Sequence, residues 1–138
     1  MKRLMFCLLG LSCLALWMCA CSPDSKKIAE GAASNWLKLV DSGNYAQSWD
    51  DTGAILKSNI AREQWQELLV RNRGPLGALI VRKLTSAEYT TQLPGAPEGQ
   101  YVVLKYESSF EHKNSAIETV TPVLDKDGQW RVCVYVVR

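Results

Sequence analysis

The chain has one histidine, His112, in 138 residues. It stands between Glu111 and Lys113, in a polar stretch where a turn is expected. A general base must sit within hydrogen-bond reach of its target at a tuned pKa, and a solvated turn residue does not meet that need. Adjacent carboxylates are equally unhelpful: Asp50 and Asp51 point to different sides of a helix and cannot share one site. No Ser-His-Asp set, glycine-rich phosphate loop or glycosidase carboxylate pair can be named. Zinc-type ligand spacing is missing too, so no metal or cofactor is expected. No run reaches the roughly 20 apolar residues of a membrane-spanning helix. Internal repeats and low-complexity tracts do not occur.

What is present begins at the amino terminus. Lys2-Arg3 is followed by an uncharged apolar run from Leu4 to Met18, and the polar Ser22-Pro23-Asp24-Ser25 comes just after Cys21. A charged start, an apolar middle and small residues at a cut make a secretory signal peptide. Met18-Cys19-Ala20-Cys21 resembles the lipobox of bacterial lipoproteins. Cys13 lies inside the apolar run and Cys19 follows bulky Trp17-Met18, which leaves Cys21. The resemblance implies cleavage before Cys21, a diacylglycerol on its thiol, and a fatty acyl group such as palmitate on the new amino terminus. Several chains on one residue make a lasting anchor, where a single chain holds marginally. Ser22, rather than Asp, after the cysteine implies the periplasmic face of the outer membrane.

The remaining composition is then simple. Residues 1–20 are signal peptide, 21–25 a lipid-anchored tether and 26–138 one domain, a suitable size for a single core. Without Lys2 and Arg3 the 16 basic residues fall to 14, equal to the 14 acidic ones. Nucleic-acid binding normally shows a basic excess and is not expected. Of five cysteines, Cys133 alone keeps a free thiol, which excludes an intramolecular disulfide; a small buried hydrophobe is the expected role. The tether spans at most about 14 Å, so the domain should rest against the membrane surface.

Along the domain, Ile28, Ala32, Ala33, Trp36, Leu37 and Val40 recur at helical spacing. Asp24 or Ser25 can cap that helix, and Gly43 suits the left-handed position beyond its end. A second short helix is expected over about Tyr45 to Thr52. A loose stretch follows, and then a third helix over about Arg62 to Asn72, stopped by Gly74-Pro75. From Leu79 the pattern changes to strands: Leu79–Gln92, Gln100–Phe110, Ser115–Leu124 and Gln129–Val137. Val102, Leu104, Tyr106 and Phe110 alternate with polar residues, as in a half-buried strand. Asp127-Gly128 marks a hairpin. The fold class is α+β, with three N-terminal helices packed on a curved four-stranded antiparallel meander. That element order is similar to cystatin-like and NTF2-like domains.

Trp36-Leu37, Val40 to Gly43, Ser48-Trp49, Trp65, Pro75 to Gly77, Arg82 to Leu84, Pro94 to Gly99, Tyr101 to Leu104 with Tyr106, Glu118 to Val120 and Asp127 to Val132 occur together. The combination resembles the bacterial family called domain of unknown function 4019, over about Ala29 to Val137. Val134 departs from it, standing before Tyr135 where that family carries Gly. The resemblance implies a small secreted or lipid-anchored domain and no assigned activity.

The functional expectation is a non-enzymatic, lipid-anchored domain that binds an envelope protein or a small apolar ligand. Tyr106, Trp36 and Trp65 are the residues a pocket between helices and sheet would use. The tryptophans are read first as core. The Tyr106 hydroxyl is expected to find a buried partner or serve a ligand. Lys105, Glu107, Glu118 and Arg131 occupy strand positions where cross-strand ion pairs are common and imply no function. A small enzyme using the inner pocket, and a periplasmic inhibitor or immunity protein, are the alternatives.

Overall fold

The computed structural model describes residues 23–138. The signal peptide and Cys21 lie outside the described residues. Helix α1 runs Pro23–Asp41, followed by α2 (Tyr45–Asp50), α3 (Ala54–Asn59) and α4 (Arg62–Asn72). A 3-10 turn, Gly74–Leu76, leads into strands β1 (Leu79–Thr90), β2 (Tyr101–Phe110), β3 (Lys113–Leu124) and β4 (Trp130–Val137). The strands form one antiparallel sheet in sequence order. The protein is α+β as expected, but the described residues form four helices before the sheet, not three. The extra one is α3, six residues long. Its two apolar residues, Ile55 and Leu56, are too few to show a helical period.

Helix α1 buries Ala29, Ala33, Trp36, Leu37 and Val40 against all four strands. Ile28 belongs to the same sequence pattern but is 59% exposed, because the buried stripe continues through Ala29 instead. The helix ends as the sequence predicts. Gly43 has φ +76 and Asn44 N–H donates to Leu39 O at 2.8 Å, closing the last turn.

The sheet's inner face carries Val102, Leu104, Tyr106 and Phe110 from β2, opposite Leu84, Ala87 and Tyr89 of β1. Tyr101 points the other way, yet it is fully buried. The β1–β2 connection folds back over it: Tyr101 Oη donates to Pro97 O at 2.6 Å, and Leu93 and Ala96 pack beside it. This makes a second, smaller cluster with Val123, Cys133 and Ile55. The edge of β4 is tied to the helical half, where Gly53 N–H donates to Val132 O at 2.8 Å. Such cover removes an exposed template for strand pairing. Register slips between Thr121 and Pro122, so β4 bends just before Val134. Gly77 lies where the chain enters the sheet. Its φ is +75, and a Cβ there would stand 2.8 Å from Glu111 Oε2, so only glycine fits without a shift.

Candidate functional site

Aromatic rings pack between the helices and the sheet. Trp36 and Trp65 pack with ring centroids 6.2 Å apart, and Trp36 meets Tyr135 edge-on at 5.5 Å. Trp36 Nε1 donates to Ser48 O at 2.7 Å and Trp65 Nε1 to Ser48 Oγ at 3.0 Å. Ser48 itself is fully buried, and its hydroxyl donates to Tyr45 O. The structure brings Trp36, Trp65 and Tyr106 into one core cluster, and Trp36 also borders a small cleft of about 270 Å³ between α1 and β4. Tyr106 is buried, but its hydroxyl has no hydrogen-bond partner among the described residues. That corrects the expectation of a buried partner. Burial raises the phenol to about 12, with Glu30 adding to the effect.

The interior chemistry lies beside Tyr106, in residues that the sequence pattern left on the surface. Glu118, opposite Tyr106 on β3, is completely buried. It accepts from Arg82 Nε at 2.6 Å, Arg82 Nη2 at 3.0 Å, Ser108 Oγ at 2.5 Å and Tyr135 Oη at 2.8 Å. The far side of the Arg82 guanidinium grips Asp41, with Nη1 to Oδ2 at 2.7 Å and Nη2 to Oδ1 at 2.9 Å. Arg73 Nη2 joins at Asp41 Oδ1, 3.2 Å away. Its guanidinium carbon lies 4.4 Å from the Phe110 ring centroid, within cation–π range.

These contacts tie α1 to every strand. A carboxylate at the end of α1 sits against the unfavourable pole of the helix, and two arginines offset that repulsion. Burial works against the Arg82 charge, yet the hydrogen bonds to Asp41 and Glu118 prevail and hold its pKa above the ordinary value. The Tyr135 phenol is raised chiefly by burial and then by Glu118 beside it. Two guanidinium and two carboxylate charges balance, and Glu118 already accepts four hydrogen bonds, about the acceptor capacity of a carboxylate. The cluster therefore acts as a structural clamp.

The open space is elsewhere. A cleft of about 660 Å³ lies between α3, the β1–β2 connection and the β3–β4 hairpin. Its apolar lining comes from Ile55, Tyr101, Val123 and Leu124. At the rim Arg131 donates to Asp125 Oδ2 at 3.0 Å and to both Asp127 oxygens, at 2.9 and 2.8 Å. Arg131 is thus an intra-hairpin clasp and not a cross-strand partner of the other charged strand residues. Its pKa is raised by Asp127 first and Asp125 second. Asp127 is lowered in turn, by Arg131 and by the Gln129 backbone N–H. Sequence reasoning missed this cleft because α3 and the folded-back connection build it, and neither shows a strong period.

Two other expectations can be placed. His112 is exposed at the β2–β3 turn, with Glu111 Oε2 3.9 Å away. Cys133 is buried, its Sγ lies 3.2 Å from Thr121 O, and burial raises its thiol to about 12. Among the described residues no group of three His, Cys, Asp or Glu side chains is placed to hold a metal. No described helix is long and apolar enough to cross a membrane.

The elements and clamp define a class: a small α+β domain with helices N-terminal to a single antiparallel sheet. The family model described as protein of unknown function (DUF4019) matches residues 32–135, and the chain belongs to that family. No curated protein matches it.

Proposed function

We propose that this chain is a lipid-anchored envelope protein that works by binding at the periplasmic surface of the outer membrane, without catalysis. Its partner is an envelope protein or a small apolar ligand. The likeness of its element order to cystatin-like and NTF2-like domains belongs to the same reading. The observation that supports it most is the occupation of the buried Glu118 carboxylate by four hydrogen bonds, while apolar lining is presented in an outer cleft. A catalytic group needs a free lone pair or proton near its target, and Glu118 offers neither.

The anchor part of the reading rests on Cys21 and its flanking residues. Cells given an inhibitor of lipoprotein signal peptidase should accumulate the uncleaved precursor. Cys21→Ser should move the protein out of the lipid-modified fraction. Normal processing under the inhibitor would rule out Cys21 as the lipidation site.

A further inference from the structure

We propose that the cleft between α3, the β1–β2 connection and the β3–β4 hairpin binds a small apolar molecule carrying one amine cation. The inference rests on the binding-domain reading and narrows it to a ligand class.

Size comes first. A volume of about 660 Å³ lies within the roughly 300–1,000 Å³ typical of small-ligand sites. Such sites combine apolar walls with a few placed polar groups, and this one does the same. Ile55 reaches it from α3, while Val123 and Leu124 reach it from β3. Tyr101, fully buried with its hydroxyl bound to Pro97 O, lies beneath the floor. An apolar body therefore gains burial here, at about 25 cal/mol per Å² of area removed from water.

Charge decides the sign of the ligand. Glu98, Asp125 and Asp127 border the cleft with Arg131 and Lys126, so the acidic groups are in excess by one. Arg131 is enclosed by the Asp125 and Asp127 carboxylates. An incoming anion would have to displace them to reach it. An incoming ammonium meets Glu98, which makes no ion pair and no side-chain hydrogen bond among the described residues. A neutral molecule would use the apolar floor and leave Glu98 unengaged.

The test uses the full chain in phosphatidylcholine nanodiscs and three water-soluble indoles of similar size. Tryptamine carries the amine, 3-ethylindole is neutral and indole-3-propionate is the anion. Methyl resonances of Ile55, Val123 and Leu124 report the cleft. Tryptamine should shift them saturably, 3-ethylindole should bind about two- to fivefold more weakly, and indole-3-propionate should not saturate. Glu98→Gln should weaken tryptamine by about two- to fivefold. Ala54→Trp should block all binding by placing a ring in the mouth. Both residues are exposed, so neither change should disturb folding.

Equal shifts with amine and acid, or none at these methyls, would overturn the proposal. A photo-crosslinker at position 54 in intact cells separates the two readings. If no indole shifts the methyls but the crosslinker captures one stoichiometric protein, the ligand class fails and the binding-domain reading stands. If both experiments are blank, both readings fail.

Discussion

Glu118→Ala is expected to lower the unfolding free energy by about 3–5 kcal/mol, enough to leave the domain barely folded at 37 °C. The size follows from the charge count. Asp41, Arg73, Arg82 and Glu118 form a balanced cluster in which the Arg82 side chain is 12% exposed and that of Glu118 fully enclosed. Removing Glu118 leaves one positive charge in excess where water cannot compensate, and it frees the hydroxyls of Ser108 and Tyr135. Glu118→Gln keeps the shape and should cost less. The double change Arg82→Met with Glu118→Leu removes both charges, and apolar replacement of a buried pair is often neutral or better. It should recover most of the loss of the single variants. Urea unfolding of these proteins together with the single variants Arg82→Met and Glu118→Leu decides this. Additive losses in the double variant would mean that the two residues do not act as a pair.

The second large effect is a loss of stability in alkali. Burial raises the Tyr106 phenol and the Cys133 thiol to about 12 each, and also raises Tyr101 and Tyr135. The charged forms are disfavoured in the fold and free in the unfolded chain, where tyrosine titrates near 10 and cysteine near 9. Stability from these groups is complete below the unfolded values. It falls as pH rises past 9 to 10 and is lost as pH passes the folded values near 12. Each pKa unit is 1.36 kcal/mol, so the rise at Cys133 corresponds to about 4 kcal/mol and that at Tyr106, partly screened by solvent, to about 2 kcal/mol. Urea midpoints measured from pH 7 to 11 should drop steeply above pH 9. Tyrosine ionisation, followed at 295 nm, should coincide with unfolding for the buried phenols. A flat midpoint across that range would contradict the burial argument.

Much of the architecture was legible because it follows simple periods. The helical stripe of α1, the Gly43 stop, the alternation of β2 and the Asp127-Gly128 turn all report local geometry that the residues impose by themselves. The charged interior was harder. Glu118 read as an ordinary strand charge, since opposite-sign residues on strands usually pair on the wet face, and Arg82 carried no reading of its own. A signal was nevertheless present in β3, where Ala116, Glu118 and Val120 share one parity with two apolar neighbours. That parity placed Glu118 inside. What no local pattern carried was the partner, because Asp41 and Arg82 lie 41 positions apart and meet through the crossing of α1 over the sheet. The cleft was illegible for the same reason: Ile55 and Tyr101 come together through a six-residue helix and a turn-rich connection.

The central claim is that the interior holds the fold and leaves binding to the outside. Tyr106 tests it most directly. Its buried hydroxyl has no partner among the described residues, and an unsatisfied buried hydroxyl costs about 1–3 kcal/mol. Tyr106→Phe should therefore stabilise the full chain in urea by about 1 kcal/mol or more. A loss of partner or ligand binding by Tyr106→Phe with its stability kept or raised would contradict the claim, because the interior hydroxyl would then serve binding.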